Sequence, residues 1–360
     1  AERFDGHDLR AVDLNRKHQT GAHRGAVDEY GAGAAYPVLA ADIPSGLHAD
    51  TGTALGPDCV IARHTLSLLT LKPGLFTGVG RDHSGSVWWD TLAVDATAAT
   101  PAAWLGGASQ LRAWPPPRRH VQHKGSFGDV AVVGGAPGMG GAALLAAHAA
   151  LAAGAGRVFI DLLDPHAIRH DAQRPELMFR PGWRDAAPQA LRRSLVVCGC
   201  GGGDAVREAL PKLLSLVPRL VLDADALNAI AADASLEGQL LARAGRGHVT
   251  LMTPHPLEAA RLLKRSTAQV QADRIGAATS LANRLAAVVV LKGSGSVIAA
   301  PGLTPHLNPT GNAALASAGT YAVFGRITEG LDVSTAINAL AVGEAPTKLV
   351  TIDSIEITES

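Results

Sequence analysis

Six short segments place glycine, charged or hydroxyl-bearing residues at the ends of apolar runs, where loops bind anions or move protons. The first is VAVVGGAPGMGGAALLAAHAALAAGAGRVFIDLLD. Within it Gly138-x-Gly140-x-x-Ala143 fits a dinucleotide fingerprint, and Asp161 lies 21 residues beyond Gly140. Such a turn aims free helix N-terminal N–H groups at a pyrophosphate. Other phosphate-contacting loops share the pattern, and small residues also let a helix pack closely on a sheet. The segment alone leaves these three readings open.

The second segment, VVCGCGGGD (196–204), runs an apolar stretch into Gly199, Gly201, Gly202 and Gly203. So much glycine implies a backbone in close approach to something, either a flat ligand or its own turn. The third, LVLDADALN (220–228), ends in Asp223, with Asp225 and Asn228 just beyond. Either aspartate could orient a ligand or metal, and helix N-capping is the simpler expectation for Asp225. In the fourth, VTLMTPHPLEAARLL (249–263), Pro254 and Pro256 hold His255 rigidly, which favours ligand contact, while Glu258 suits the first turn of a helix. The fifth, VVVLKGSGSVIAA (288–300), ends a buried run at Lys292, which needs an anionic partner or an exit to solvent. The sixth, LNPTGNAALASAGT (307–320), has the composition of an anion-binding turn.

These segments must be positioned by the elements around them. Strands are expected at 129–133, 157–163, 195–198, 220–223, 249–252, 288–292 and 297–300, and helices at 141–153, 205–216, from 257, 269–285 and from about Asn312. Strands alternating with helices imply a mostly parallel sheet covered on both faces, with ligands bound outside the strands' carboxyl ends. Ahead of this lie strand-then-turn patterns at YPVLAADIPSGL, HTLSLLTLKPGL and SVWWDTLAVD, then a stretch holding Pro101 and Pro115-Pro116-Pro117. Three consecutive prolines stiffen a chain and exclude a helix. The expected organisation is a first domain over 1–97, a proline-rich linker over 98–119 and a second domain over 120–360.

Composition narrows the function. The chain has 360 residues, enough for about two domains, with 32 Lys+Arg against 32 Asp+Glu. Zero net charge argues against a nucleic-acid footprint. Hydrophobic residues make up 47% of the chain, which supports a packed core. Cys59, Cys198 and Cys200 give no zinc or disulfide pattern. The N-terminal AERFDGHDLR has no apolar signal region, and the apolar stretch Ala142–Ala153 is too short to span a bilayer. The expectation is a soluble, cytoplasmic protein with no nucleic-acid or membrane partner.

The order of the segments carries more than any one of them. HKGSFG, GG-x-PGM-x-GAALLAA, G-x-G-x-G, LDADALN, TPHP-x-E, VVLKG-x-G and N-x-TGN-x-x-LAS-x-GT, over about 120–345, resemble the ADP- or ATP-dependent NAD(P)H-hydrate dehydratases of the ribokinase-like superfamily. VLAADIPSGLHADTG, LKPGL and GRDHSG resemble the tail of an NAD(P)H-hydrate epimerase domain. The implied fold is α/β: a ribokinase-like, mostly parallel sheet with helices on both faces, plus a partial Rossmann-like N-terminal domain.

The resemblance implies a repair reaction. Hydrated NAD(P)H has its ring hydroxyl phosphorylated by a nucleotide, and loss of phosphate restores NAD(P)H. By the same resemblance Ala142 or Ala143, Gly201, Gly203, His255, Pro256, Glu258 and Arg261 contact the hydrated dinucleotide. Lys292, Gly293, Ser294, Gly295, Ser296, Asn312, Ser317, Gly319 and Thr320 hold ADP (or ATP), with Mg2+ as its ion. In the epimerase-like part Asp42 contacts substrate and Ser45 a potassium ion, and the enzyme is expected to be a homo-oligomer.

Two departures stand out. Where the family reads Gly-Thr-Gly-Asp with the aspartate as catalytic base, this chain reads Gly319-Thr320-Tyr321-Ala322. Arg326 falls where a small residue is usual. The epimerase-like part shows no Gly/Asn-rich phosphate loop. Two other classes therefore stay open beside an impaired dehydratase: a non-catalytic nucleotide- or dinucleotide-binding relative, and a Rossmann oxidoreductase.

Overall fold

The computed structural model describes residues 38–95, 99–107, 118–311, 341–342 and 345–346. At its start β1 (Leu39–Ala41), β2 (His64–Leu68) and β3 (Ser86–Asp90) form a parallel sheet in that order. The buried residues of β2 are hydroxyl-bearing. Thr65 Oγ1 donates to the Ser84 carbonyl at 2.7 Å, and Ser67 Oγ to the Thr70 carbonyl at 3.0 Å. The short helix Gly80–Ser84 sits between β2 and β3. A Cβ at Gly80 would meet the Gly74 carbonyl oxygen at 1.7 Å, so the loops of this small module are in backbone contact.

The second sheet has ten strands. They are β4 (Trp104–Leu105), β5 (Asp129–Gly134), β6 (Arg157–Leu162), β7 (Met178–Phe179), β8 (Ser194–Cys198), β9 (Arg219–Leu222), β10 (Val249–Met252), β11 (Val288–Leu291), β12 (Ser296–Ala299) and β13 (His306–Asn308). Their order is β4-β13-β12-β11-β10-β9-β8-β5-β6-β7. β12 runs antiparallel to both its neighbours, and all other pairs are parallel. β4 falls inside the stretch expected as linker and pairs with β13. β7 and β13 are further short strands that the hydropathy pattern did not mark.

Helices cover both faces, as the alternation implied. Adjacent residues of a strand point to opposite faces, and β5 shows it. Val132 packs with Ala143, Ala147 and Ile160 under the helix Gly140–Ala152. Val133 packs into the larger core with Leu210, Leu213, Leu227 and Leu281 from helices on the other face. Of two helices there, Ala224–Ala232 was implied only by the capping expectation for Asp225, and Ala234–Gly245 was not expected. The stretch expected as one helix over 269–285 is two, Thr267–Ala272 and Arg274–Leu285. The break is at Asp273, whose carboxylate accepts from the Gly276 N–H at 2.8 Å and so starts a new helix.

Residues up to Thr310 cluster into one compact unit and Gly311–Ser360 into a second. In the second, β14 (Ala341–Val342) and β15 (Ala345–Pro346) pair antiparallel. The helix expected from Asn312 lies outside the described residues. No helix among the described residues is long and apolar enough to cross a membrane.

Candidate active site

The parallel register brings five strand ends into one row. Val133 pairs with Cys198, Cys198 with Leu222, and Leu222 with Met252, while Val289 pairs with Met252. The chain leaving each strand is then tied to the next. Gly199 N–H donates to the Val133 carbonyl at 3.0 Å, Asp223 N–H to Cys198 at 3.1 Å and Thr253 N–H to Leu222 at 3.1 Å. Lys292 N–H donates to the Pro254 carbonyl at 2.9 Å. Ligands of open parallel sheets bind at this edge, outside the carboxyl ends.

Asp223 is the hub of the row. Its Oδ1 accepts from the Lys292 ammonium at 2.7 Å and from Thr253 Oγ1 at 2.8 Å. Cys200 Sγ lies 3.8 Å from Oδ2. Burial pushes the Cys200 thiol up to about 11, and the Asp223 charge adds to it. This answers what Lys292 does at the end of a buried strand: its anionic partner is Asp223. The sequence singled out both residues but could not pair them, and it did not mark Thr253.

The glycines have a nearer explanation than a flat ligand. Loop 199–203 is bonded to the loop after β5, with Gly135 N–H donating to the Cys200 carbonyl and Ala136 N–H to Gly201. A Cβ at Gly201 would meet the Met139 carbonyl oxygen at 2.7 Å. Asp225 is not an N-cap. It lies in the first turn of the helix Ala224–Ala232, and its Oδ2 accepts from the Gly203 N–H at 2.8 Å. Asp161 does not face a ribose. Buried, it accepts from the Gly182 and Arg184 N–H groups and from the Arg184 guanidinium. That removes the acidic residue a Rossmann dinucleotide site needs.

Comparison with known proteins decides the family. A family model described as NAD(P)H-hydrate dehydratase matches residues 130–327, more than half of the chain. The chain belongs to the NAD(P)H-hydrate dehydratase family. A second model, YjeF-related protein N-terminus, matches residues 15–74. The ADP-dependent (S)-NAD(P)H-hydrate dehydratase of Neisseria meningitidis serogroup B is 43% identical over 216 residues, covering 58% of this chain and 71% of that protein. The bifunctional NAD(P)H-hydrate repair enzyme of Escherichia coli is 38% identical over 296 residues, covering 79% of this chain and 54% of that protein. The chain thus spans about half the length of the bifunctional relatives it matches. A ribokinase-like superfamily protein from Enterococcus faecalis shares the fold, with a TM-score of 0.50 at 20% identity, over 61% of this chain and 76% of that one.

Within this dehydratase-family unit the other marked residues fall as follows. Ala142 is exposed and Ala143 is fully buried, so only the first has a surface to offer a ligand. His255 caps the helix Pro256–Leu263, its Nδ1 accepting from the Leu257 and Glu258 N–H groups. Glu258 returns the contact by accepting from the His255 N–H at 2.8 Å. Arg261 donates to Asn228 Oδ1 at 2.6 Å. Gly293 and Ser294 are exposed, Ser296 is half-buried, and Gly295 is buried against the N-terminal module.

In that module the Asp42 carboxylate accepts from the Leu68 N–H at 2.9 Å and from the Lys72 ammonium. Asp42 itself has a positive φ of 68°. Ser45 is exposed on a turn, where its carbonyl accepts from the Val60 N–H. Two clefts, of about 490 and 370 Å³, lie along the contact between the modules, and neither includes Lys292 or Asp223. Asn312, Ser317, Gly319, Thr320, Tyr321, Ala322 and Arg326 lie outside the described residues. Among the described residues no group of three His, Cys, Asp or Glu side chains could hold a metal.

Proposed function

We propose that this chain binds ADP and the (S)-hydrate of NADH or NADPH along the strand-end row, as a nicotinamide-cofactor repair dehydratase. The observation that carries the reading is the Lys292–Asp223 pair at the carboxyl edge, flanked by the 199–203 loop, Thr253–Pro256 and the Gly293–Gly295 turn. Lys292 offers a mobile point charge for a phosphate, and the exposed Gly293–Ser294 backbone offers N–H groups. Ala142, Gly201, Gly203, His255, Pro256, Glu258 and Arg261 border the side where the dinucleotide would lie. Asn312, Ser317, Gly319 and Thr320 complete the nucleotide site by the family motif.

The chemistry is a phosphoryl transfer followed by an elimination. The ring hydroxyl oxygen attacks the terminal phosphorus of ADP as its bond to AMP breaks, and the hydroxyl proton passes to a base. Phosphate then leaves the ring with the bonding electrons while the neighbouring carbon loses a proton, giving NAD(P)H, AMP and phosphate. Mg2+ bound to the nucleotide's own phosphates would neutralise charge there, since the described residues offer it no cage of carboxylates.

Ala322 bears on rate, because a methyl group cannot accept the hydroxyl proton. Asp223 is then the carboxylate nearest to taking that role. For the N-terminal part, potassium at Ser45 and substrate at Asp42 form the corresponding epimerase proposal. A second reading, a nucleotide-binding relative without turnover, is favoured by the same Ala322. Incubation with NADPH hydrate and ADP separates the two: regained nicotinamide absorbance supports the dehydratase, and ADP binding without it supports the relative.

A further inference from the structure

The Lys292–Ser296 turn is held from behind by residues of the other module. A Cβ on Gly295 would meet the Phe76 carbonyl oxygen at 1.9 Å, so the turn's backbone lies directly on that loop. Thr77 Oγ1 lies 3.3 Å from the Ser294 carbonyl oxygen and 3.4 Å from that of Gly295. Thr77 Oγ1 also accepts from Arg274 Nε at 3.2 Å. Arg274 donates onward to the carbonyls of Leu291 and Lys292, at 3.3 and 3.1 Å, and to Gln271 Oε1 at 2.7 Å.

Arg274 is 2% exposed, and none of these partners is a carboxylate. Burial holds its guanidinium down to about 10. A buried charge is costly unless its N–H groups are matched, and here they are matched by the carbonyls of Leu291, the last residue of β11, and of Lys292 just after it. A third link lies close by, where Arg81 Nη1 is 3.4 Å from the Thr310 carbonyl oxygen, two residues before Asn312. Thr77 and Arg81 both sit on the tightly packed loop and helix that carry the glycines of the GRDHSG region.

We propose that the N-terminal module sets the shape of the Lys292–Ser296 turn for nucleotide binding, with Thr77 and Arg274 as positioning residues. This rests on reading that turn as the ADP-binding segment. The front of the turn, Gly293 and Ser294, is exposed, while its back, Gly295, is buried. Removing the support leaves the turn present but loose, and a loose turn loses ADP affinity before it loses anything else. A module with an epimerase-like sequence then serves the second site by contact alone.

The test uses the full chain and two readouts, backbone hydrogen exchange over 292–296 and calorimetric affinity for ADP and for NADPH. Thr77→Val keeps the shape and removes the hydroxyl. It should raise exchange in the turn and weaken ADP about fivefold or more, leaving NADPH affinity within about twofold, with the melting temperature falling by a few degrees because the Arg274 Nε–H loses its acceptor. Thr77→Ser should restore both. Unchanged exchange and ADP affinity in Thr77→Val overturn the coupling, as does an equal loss of ADP and NADPH binding. Raised exchange in Thr77→Val with no ADP bound even by the unaltered chain supports the structural coupling and overturns the nucleotide reading beneath it.

Discussion

Lys292 and Asp223, 69 positions apart in the chain, meet at 2.7 Å across a strand that belongs to neither. Asp223 follows β9, Lys292 follows β11, and β10 runs between them, sending Thr253 to the same carboxylate. Because the three strands are parallel, they end at the same sheet edge, with β11 running two residues past β9 and β10. Long side chains can then reach one point above the sheet edge. An arrangement of this kind holds a cation ready for an anionic ligand without burying it.

Lys292→Met tests that readiness. The pair is partly exposed, so its loss costs little fold stability, about 1 kcal/mol or less. The lost charge-assisted bond to phosphate should weaken ADP binding about tenfold or more. Calorimetric titration with ADP beside a melting curve reads both, and a variant binding ADP as tightly as the unaltered protein removes Lys292 from the site.

His255 has two roles to separate. His255→Ala removes the cap of the helix Pro256–Leu263 and should cost about 1 kcal/mol. Asparagine caps nearly as well, so His255→Asn should retain that stability. If the ring also touches the dinucleotide, His255→Asn will bind NADPH at least about fivefold more weakly at unchanged melting temperature. Equal NADPH affinity would leave His255 as a cap only.

The two thiols beneath the row give a pH signature. Burial pushes Cys200 up to about 11 and raises Cys198 as well, while thiols of the unfolded chain ionise near ~8.5. Above that pH the unfolded state loses protons that the folded state keeps. Their contribution to stability is therefore full below ~8.5 and falls as pH rises toward 11, by at most ~1.4 kcal/mol per pH unit for each thiol. Denaturant midpoints from pH 7 to 10.5 should fall less steeply in the Cys198→Ala, Cys200→Ala double variant. Parallel slopes would contradict the raised values.

The departure at Tyr321 and Ala322 is a prediction about rate. Restoring the family's residues with Tyr321→Gly and Ala322→Asp should raise turnover of NADPH hydrate by about 10² or more, with little change in ADP affinity. If the unaltered chain already turns over as fast, the base is another group, and Asp223→Asn should then abolish the rate.

Arg243 offers a control remote from the strand-end row. Fully buried, it donates to Thr250 Oγ1 and to the carbonyls of Leu214, Val217 and Val249. Arg243→Met strands those acceptors and should cost about 3 kcal/mol or more in denaturant titration. ADP affinity of the folded fraction should not change.

Much of this protein was readable as pattern. The apolar runs marked β5, β6, β8, β9, β10, β11 and β12 within a residue or so, because a strand buried on both faces must be continuously apolar. The loops after those strands were marked too, since chemistry at a parallel sheet collects at one edge. The order of seven short motifs was enough to name the family. β4, β7 and β13 escaped, being two or three residues long and defined only by the neighbour they pair with.

What the pattern could not hold is partnership at a distance. Asp225 read as a cap, and one of three open readings made Asp161 a ribose acceptor, yet the first binds the Gly203 N–H and the second is spent on Gly182 and Arg184. The glycines of 199–203 read equally as room for a ligand or for a turn, and the structure shows that they accommodate the loop after β5. Arg274 gave no signal at all, although it ties Thr77 to the end of β11 across 197 positions. Sequence by itself determined the longer strands and the residue types at their ends, because periodicity and residue type are local. Which carboxylate meets which cation was decided by strand order and register, which exist only once the sheet is assembled.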